Sequence, residues 1–179
     1  MKVRFDRLGD EPYVWHEALA VATDELENPE VLAVGEVDCR GRITRTLPGF
    51  LLRMALSYEQ TVSCTRCLGP VPSPIDSQLD LYVLVEEVEG ATAAQAPEHR
   101  LAEQDLGLLV LTSPVLETRP LVVEQVQLNV PMKSLCRDEC AGLCATCGAD
   151  LNAGPCECRP QLDPRWAALA GWKKHHGDA

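Results

Sequence analysis

The chain has 179 residues, is 46% hydrophobic and carries a formal net charge of −11. A domain of that length buries most of the surface its unfolded chain exposes, so a core forms without disulfide staples. No apolar run approaches the ~18 residues of a membrane span, no polybasic segment suggests a membrane surface, and residues 1–130 hold no basic patch of the kind that binds phosphate non-specifically.

The N-terminal "MKVRFDRL" alternates Val3 and Phe5 with Lys2, Arg4 and Asp6, which predicts a strand. It is too polar for a signal peptide, so the expected compartment is the cytoplasm, where thiols stay reduced. "YVWHEALAV" (13–21) reads as a second strand, with a helix as the alternative. "TDELEN" (23–28) reads as a capped turn or short helix, with Thr23 or Asp24 as the cap. "EVLAVGEVDC" (30–39) gives one strand. A turn centred on Gly41 in "RGR" would then return the chain as "ITRTL", making a hairpin. "GFLLRMALSYEQTVSC" (49–64) continues as a long or bent strand, "LGPVPSP" (68–74) as a turn, and "IDSQLDLYVLVEEV" (75–88) as a strand.

Residues 89–104 are rich in alanine and polar residues without an apolar face, and read as a flexible loop. "LGLLVL" (106–111) is a short strand. "RPLVVEQVQLNVP" (119–131) places Leu121, Val122, Gln125 and Leu128 at helical spacing between two prolines, with strand as the alternative. At the C-terminus, "DPRWAALAGWK" has Asp163 as N-cap, Pro164 in the first turn and an apolar stripe of Trp166, Leu169 and Ala170. The expected fold class is α+β: a mostly antiparallel β body over 1–130 with one or two helices. A cysteine-rich, zinc-ribbon-like segment and C-terminal helix over 131–179 would pack on it.

Acidity is concentrated in the middle. Residues 80–130 carry a net −7, whereas residues 131–179 are balanced. That balanced end holds most of the nine cysteines. Cys64/Cys67 and Cys144/Cys147 are C-x2-C pairs, Cys136/Cys140 is C-x3-C and Cys156/Cys158 is C-x-C. Such short pairs bring two sulfurs to one tetrahedral ion. The simplest partition closes Cys144, Cys147, Cys156 and Cys158 locally and leaves Cys64, Cys67, Cys136 and Cys140 as a long-range clasp. The expected cofactor is Zn2+, as two ions or as one with spectator thiols. Cys140 and Cys144 are also spaced C-x3-C, so other partitions are open. Cys39, on a strand, reads as a small buried hydrophobe.

Competing chemistries are less well served. A catalytic dithiol needs a C-x2-C that opens a helix, and both pairs here run into turn residues. The C-x-C pair does not fit the common ferredoxin runs. Gly-rich phosphate loops, H-E-x-x-H and G-x-S-x-G are all missing. The histidines, His16, His99, His175 and His176, form no triad in the sequence. The expectation is a non-enzyme without a small-molecule substrate, because an all-cysteine zinc site is closed and catalysis needs an open position. Arg66, Lys133, Arg137, Arg159 and Arg165, with Lys173 and Lys174, are the cations available to face phosphate around the cysteine segment.

The stretch "LCRDECAGLCATCGADLNAGPCECRPQLDPRWAALAGWK" resembles the YceD-like family of large ribosomal RNA subunit accumulation proteins. The resemblance lies in "VP" (130–131), Cys136, Cys140, "GLC" with Cys144, "CGADLN", "CEC" and "DPRW", with "SCTRCLGPV" (63–71) as the upstream motif. It implies a role in accumulation of 23S ribosomal RNA, through ribosome assembly or rRNA processing, and bacterial or plastid residence. The partners expected on that footing are a basic large-subunit ribosomal protein, suited to the acidic middle, or a 23S rRNA precursor. The reading from another class is a redox- or zinc-responsive regulator without a ribosomal role.

Overall fold

The fold is described from a computed structural model, over residues 1–85, 107–158 and Arg165. Strands β1 (Lys2–Arg4), β2 (Tyr13–Leu19), β3 (Val31–Val34), β4 (Val37–Arg45), β5 (Phe50–Ser63), β6 (Pro70–Val85), β7 (Leu108–Leu111) and β8 (Val115–Glu117) precede one α-helix, α1 (Thr118–Leu128). A six-stranded sheet has the order β2-β4-β5-β6-β7, with β3 also paired to β5. The short β1 and β8 form a two-stranded sheet of their own. All pairings are antiparallel except β6 with β7, which run parallel. The class is thus a mostly antiparallel, mixed sheet with one helix among the described residues.

The β5–β6 hairpin is the spine. Its register runs without a break from Phe50↔Val83 to Ser63↔Pro70, a span of roughly 45 Å at about 3.3 Å per residue. Along β5, Leu52, Met54, Leu56, Tyr58, Gln60 and Val62 are buried, and the residues between them are not. That period of two covers one face of the sheet, against which Val122 and Val126 of α1 and Val3, Phe5 and Leu116 are buried. The other face is open and charged, with ion pairs Arg53–Asp80 (3.1 Å) and Arg40–Asp38 (2.9 Å).

Several elements differ from the sequence expectation. Gly41 is not in a turn. It sits in the middle of β4, directly opposite Trp15 of β2, and a Cβ there would fall 1.9 Å from the indole ring. The glycine is a slot for tryptophan, and the actual turn is Thr46–Gly49, closed by Thr46 N–H to Gly49 O (2.8 Å). Residues 30–39 split into β3 and the start of β4. Gly35 lies at the break, where its N–H bonds Glu59 O (2.8 Å) and a side chain would crowd that carbonyl at 3.1 Å.

The "LGPVPSP" turn is confined to Leu68 and Gly69, and Pro70, Pro72 and Pro74 are strand residues. All three have the same parity in the register, alternating with the residues that share the ladder parity of the bonded Cys64–Gly69 pair. Their nitrogens therefore face away from β5, toward an edge that β7 covers only at Tyr82–Val85. "MKVRFDRL" is strand only to Arg4 and then a 3-10 turn, Phe5–Arg7. The Thr23–Glu25 turn is capped by Ala22, whose N–H donates to Glu25 Oε1 (3.0 Å), and not by Thr23 or Asp24.

The helix resolves the 119–131 alternative. Its buried stripe is Thr118, Val122 and Val126, an i, i+4, i+8 series, while Leu128 is 68% exposed. Asn129 pins the end of α1 to the sheet, donating to Ser77 Oγ (2.9 Å) and accepting from Gln60 Nε2 on its carbonyl (3.4 Å). That anchor directs Val130 and the following chain toward the tip of the β5–β6 hairpin. The 89–104 loop and the Asp163–Lys173 helix, except Arg165, lie outside the described residues. Among those described, no helix is long and apolar enough to cross a membrane.

Candidate metal centre

The first cysteine pair sits at the very tip of the spine. Cys64 N–H bonds Gly69 O (2.8 Å) and Leu68 N–H bonds Cys64 O (2.9 Å), which folds Cys64–Gly69 into a knuckle with both sulfurs on one side. The second pair repeats this: Cys144 N–H bonds Ala149 O (2.8 Å) and Gly148 N–H bonds Cys144 O (2.8 Å). In each, the residue after the second cysteine is left-handed, at φ 60° for Leu68 and 72° for Gly148. Glycine adopts that conformation freely, whereas leucine does so at a cost.

Eight of the nine cysteines gather in two arrays. Cys64, Cys67, Cys136 and Cys140 form one, and Cys144, Cys147, Cys156 and Cys158 the other. Within each, the sulfurs all lie within 4.8 Å of one another. Cys64 and Cys140 are 3.8 Å apart and Cys67 and Cys136 3.7 Å. A tetrahedral ion with metal–sulfur bonds of about 2.3 Å has sulfur–sulfur edges of about 3.8 Å. A disulfide would need about 2.05 Å, and all nine cysteines are free thiols. Spacing, count and donor type therefore fit a four-coordinate thiophilic cation in each array. Cys39 belongs to neither. It is fully buried on β4, where burial raises its thiol pKa to about 11.

Backbone N–H groups favour the thiolate form of Cys64 in the first array and of Cys144 in the second. The amides of Cys67 and then Arg66 hold Cys64 at about 6, and those of Cys147 and Thr146 hold Cys144 at about 6. Cys136 and Cys158 are pushed the other way: Cys140 raises Cys136 to about 12, and Cys147 does the same to Cys158. A bound cation would displace the thiol protons and stabilise all four thiolates at once.

The junction between hairpin tip and C-terminal segment is made of backbone. Thr65 N–H bonds Ser134 O (2.8 Å) and Leu143 N–H bonds Arg66 O (3.1 Å). The Arg66 guanidinium donates to the carbonyls of Cys140 (2.8 Å) and Asp138 (3.3 Å). Gly142, at φ 75°, lets the chain pass: a Cβ would sit 3.0 Å from Arg66 O. Closure of the second array is prepared by the Leu143↔Asp150 bridge and by Leu151 N–H to Gly142 O (2.9 Å).

This changes the place of the cations named as phosphate-facing. Arg66 is engaged with carbonyls, and Arg137 donates to Asn152 Oδ1 (2.7 Å). Lys133 and Arg165 are exposed, and Arg159 lies outside the described residues. The sequence reading gave no role to Asn152, which touches Cys140 Sγ through Nδ2 (3.5 Å), nor to Leu68 or Gly142. The one sequence signal for Asn152 and Gly142 was their place inside the "GLC" and "CGADLN" motifs.

Comparison with known proteins agrees with the motif resemblance. The family described as large ribosomal RNA subunit accumulation protein YceD matches residues 52–173. An uncharacterized protein of Mycobacterium tuberculosis is 28% identical over 177 residues, covering 94% of this chain and 79% of its own. The chloroplastic large ribosomal RNA subunit accumulation protein YCED homolog 1 of Zea mays is 25% identical over 123 residues, covering 56% of this chain and 41% of its own. No solved structure matches. The chain belongs to the YceD family.

Proposed function

We propose that this YceD-family chain is a non-catalytic ribosome-assembly factor supporting accumulation of 23S ribosomal RNA, with two zinc ions held by its cysteine arrays. The observation that carries the reading is the pair of four-sulfur arrays, one at the tip of the β5–β6 hairpin and one in the segment beyond it. A cation with four cysteine ligands has no open position, so it supplies folding energy and no Lewis-acid chemistry. Cys64, Cys67, Cys136 and Cys140 clasp the C-terminal segment to the sheet, and Cys144, Cys147, Cys156 and Cys158 close the ribbon beyond it.

The partner on this reading is a basic large-subunit protein, alone or on an rRNA intermediate. Support comes from the net −7 of residues 80–130, and from Glu27 and Glu124 bordering an apolar hollow over Val123 and Leu128. The internal engagement of Arg66 and Arg137 weighs against RNA contact by those side chains.

Elemental analysis of the purified protein is expected to give two zincs per chain. In a strain lacking the native copy, the ratio of mature 23S to 16S RNA falls. The wild-type chain restores it, and a Cys64→Ser/Cys144→Ser chain does not. Binding to the basic partner weakens steeply with salt. An unchanged 23S ratio on deletion would refute the assembly role, and full rescue by the cysteine variant would refute the part given to metal.

A further inference from the structure

One side chain joins a sulfur of the first array to the loop of the second. Asn152 Oδ1 accepts the Ala141 N–H (2.9 Å) and the Arg137 guanidinium (2.7 Å). Its Nδ2 donates to Asp150 Oδ1 (2.7 Å) and to Cys140 Sγ (3.5 Å). An amide offers two acceptor lone pairs and two donor hydrogens, and all four are used here. Asp150 Oδ1 also takes the Asn152 N–H (2.9 Å). One residue thus bonds a sulfur of the first array, the segment between the arrays, and the loop that carries the chain from Cys147 to Cys156.

Among the described residues, the loop's other ties to the rest of the segment are Cys144 N–H to Ala149 O, the Leu143↔Asp150 bridge and Leu151 N–H to Gly142 O. The strand opposite hangs on Arg66 of the first knuckle through Leu143 N–H. A cation in the first array immobilises Cys140, and with it the Asn152 amide, Asp150 and the turn before Cys156. The second array is then ordered before its own ligand arrives, and a site that is already ordered binds more tightly. The reverse holds by thermodynamic necessity.

We infer that Asn152 couples the two cysteine arrays, so that a cation bound by Cys64, Cys67, Cys136 and Cys140 raises the affinity of Cys144, Cys147, Cys156 and Cys158 for theirs, and conversely. This rests on the metal reading above. It assigns Asn152 as a positioning residue for two sites, with its donor hydrogens as the operative part.

The test is a Co2+ titration of the full reduced chain, read by the sulfur-to-cobalt charge-transfer band and by native mass spectrometry. Cys136→Ser, which disables the first array, is expected to weaken Co2+ binding at the second by about 10–100-fold, the usual scale of outer-shell effects. Cys156→Ser weakens the first by a similar factor. In an Asn152→Asp background, which keeps the acceptors for Ala141 and Arg137 but lacks both Nδ2 hydrogens, the same Cys136→Ser change alters the second array by no more than about twofold. Asn152→Asp in the Cys156→Ser chain also moves the first array's charge-transfer band to lower energy, because the N–H to sulfur bond is gone. A merely structural asparagine would leave that band in place. Equal effects of Cys136→Ser in both backgrounds, or none in either, overturn the inference while the metal reading stands. Absence of any cobalt spectrum in the wild-type chain overturns both.

Discussion

Replacing Gly41 with alanine tests the least expected contact in the body. The new Cβ would stand 1.9, 2.1 and 2.2 Å from Cζ2, Cη2 and Cε2 of Trp15, where carbon atoms need about 3.5–4.0 Å. The ring must therefore retreat by roughly 1.5 Å. It has little space to do so, since Trp15 is 6% exposed and lies in the main cluster with Cys39 and Ile43. Overpacking of this kind costs about 1–3 kcal/mol, and full expulsion of the indole would add part of the ~3–5 kcal/mol of a tryptophan deletion. A loss of about 3 kcal/mol is expected. At a urea m-value near 2 kcal/mol/M it lowers the midpoint by about 1.5 M. The assay is urea unfolding of the reduced protein followed by far-UV circular dichroism. In a Trp15→Leu background the slot is empty, and Gly41→Ala then costs about 1 kcal/mol or less. The same loss in both backgrounds, or a loss below about 0.5 kcal/mol in the wild type, would refute the slot.

The left-handed position after Cys147 gives a second test. Gly148→Ala meets no neighbour within 4 Å among the described residues, so its expected cost is backbone strain, about 1–2 kcal/mol, seen as weaker Co2+ binding at the second array only. Leu68→Asn, at the matching position of the first knuckle, is expected to stabilise by up to about 1 kcal/mol in thermal melts. Asn129→Ala removes the bond to Ser77 and should cost about 1 kcal/mol in the same melts. The pH dependence of the metal-free, reduced protein follows from Cys64 and Cys144 at about 6 against an ordinary thiol value of 9.0. Because the folded value is the lower one, their contribution to stability is complete above pH 9 and is lost as the pH falls through 6. Thiolate absorbance at 240 nm should show two groups titrating near pH 6, and a single step near 8.5 would contradict the arrangement.

Much of this protein was legible in its residues because the governing physics is local. The strict period of two from Leu52 to Val62 makes β5 a strand with one buried face, whatever it packs against. Pro120 and the helical spacing of Leu121, Val122, Gln125 and Leu128 favour α1, since proline is tolerated where first-turn N–H groups have no partner, but the stripe that is buried runs through Thr118, Val122 and Val126. The cysteine spacings required pairs of sulfurs to share a side of the chain, and the family motifs are a property of order and spacing alone. The tertiary structure decided what distance along the chain conceals. Gly41 looked like a turn because glycine usually marks one, and only the register of β2 against β4 places an indole over it. The three prolines of β6 looked like a turn until the ladder parity put their nitrogens on the edge away from β5, beyond the reach of β7. Cys64 and Cys140 lie 76 residues apart, and no periodicity connects them. They meet because Asn129 fixes the end of α1 beside Ser77 and Gln60 of the hairpin, and the chain after it reaches the first knuckle, where Ser134 O takes the Thr65 N–H.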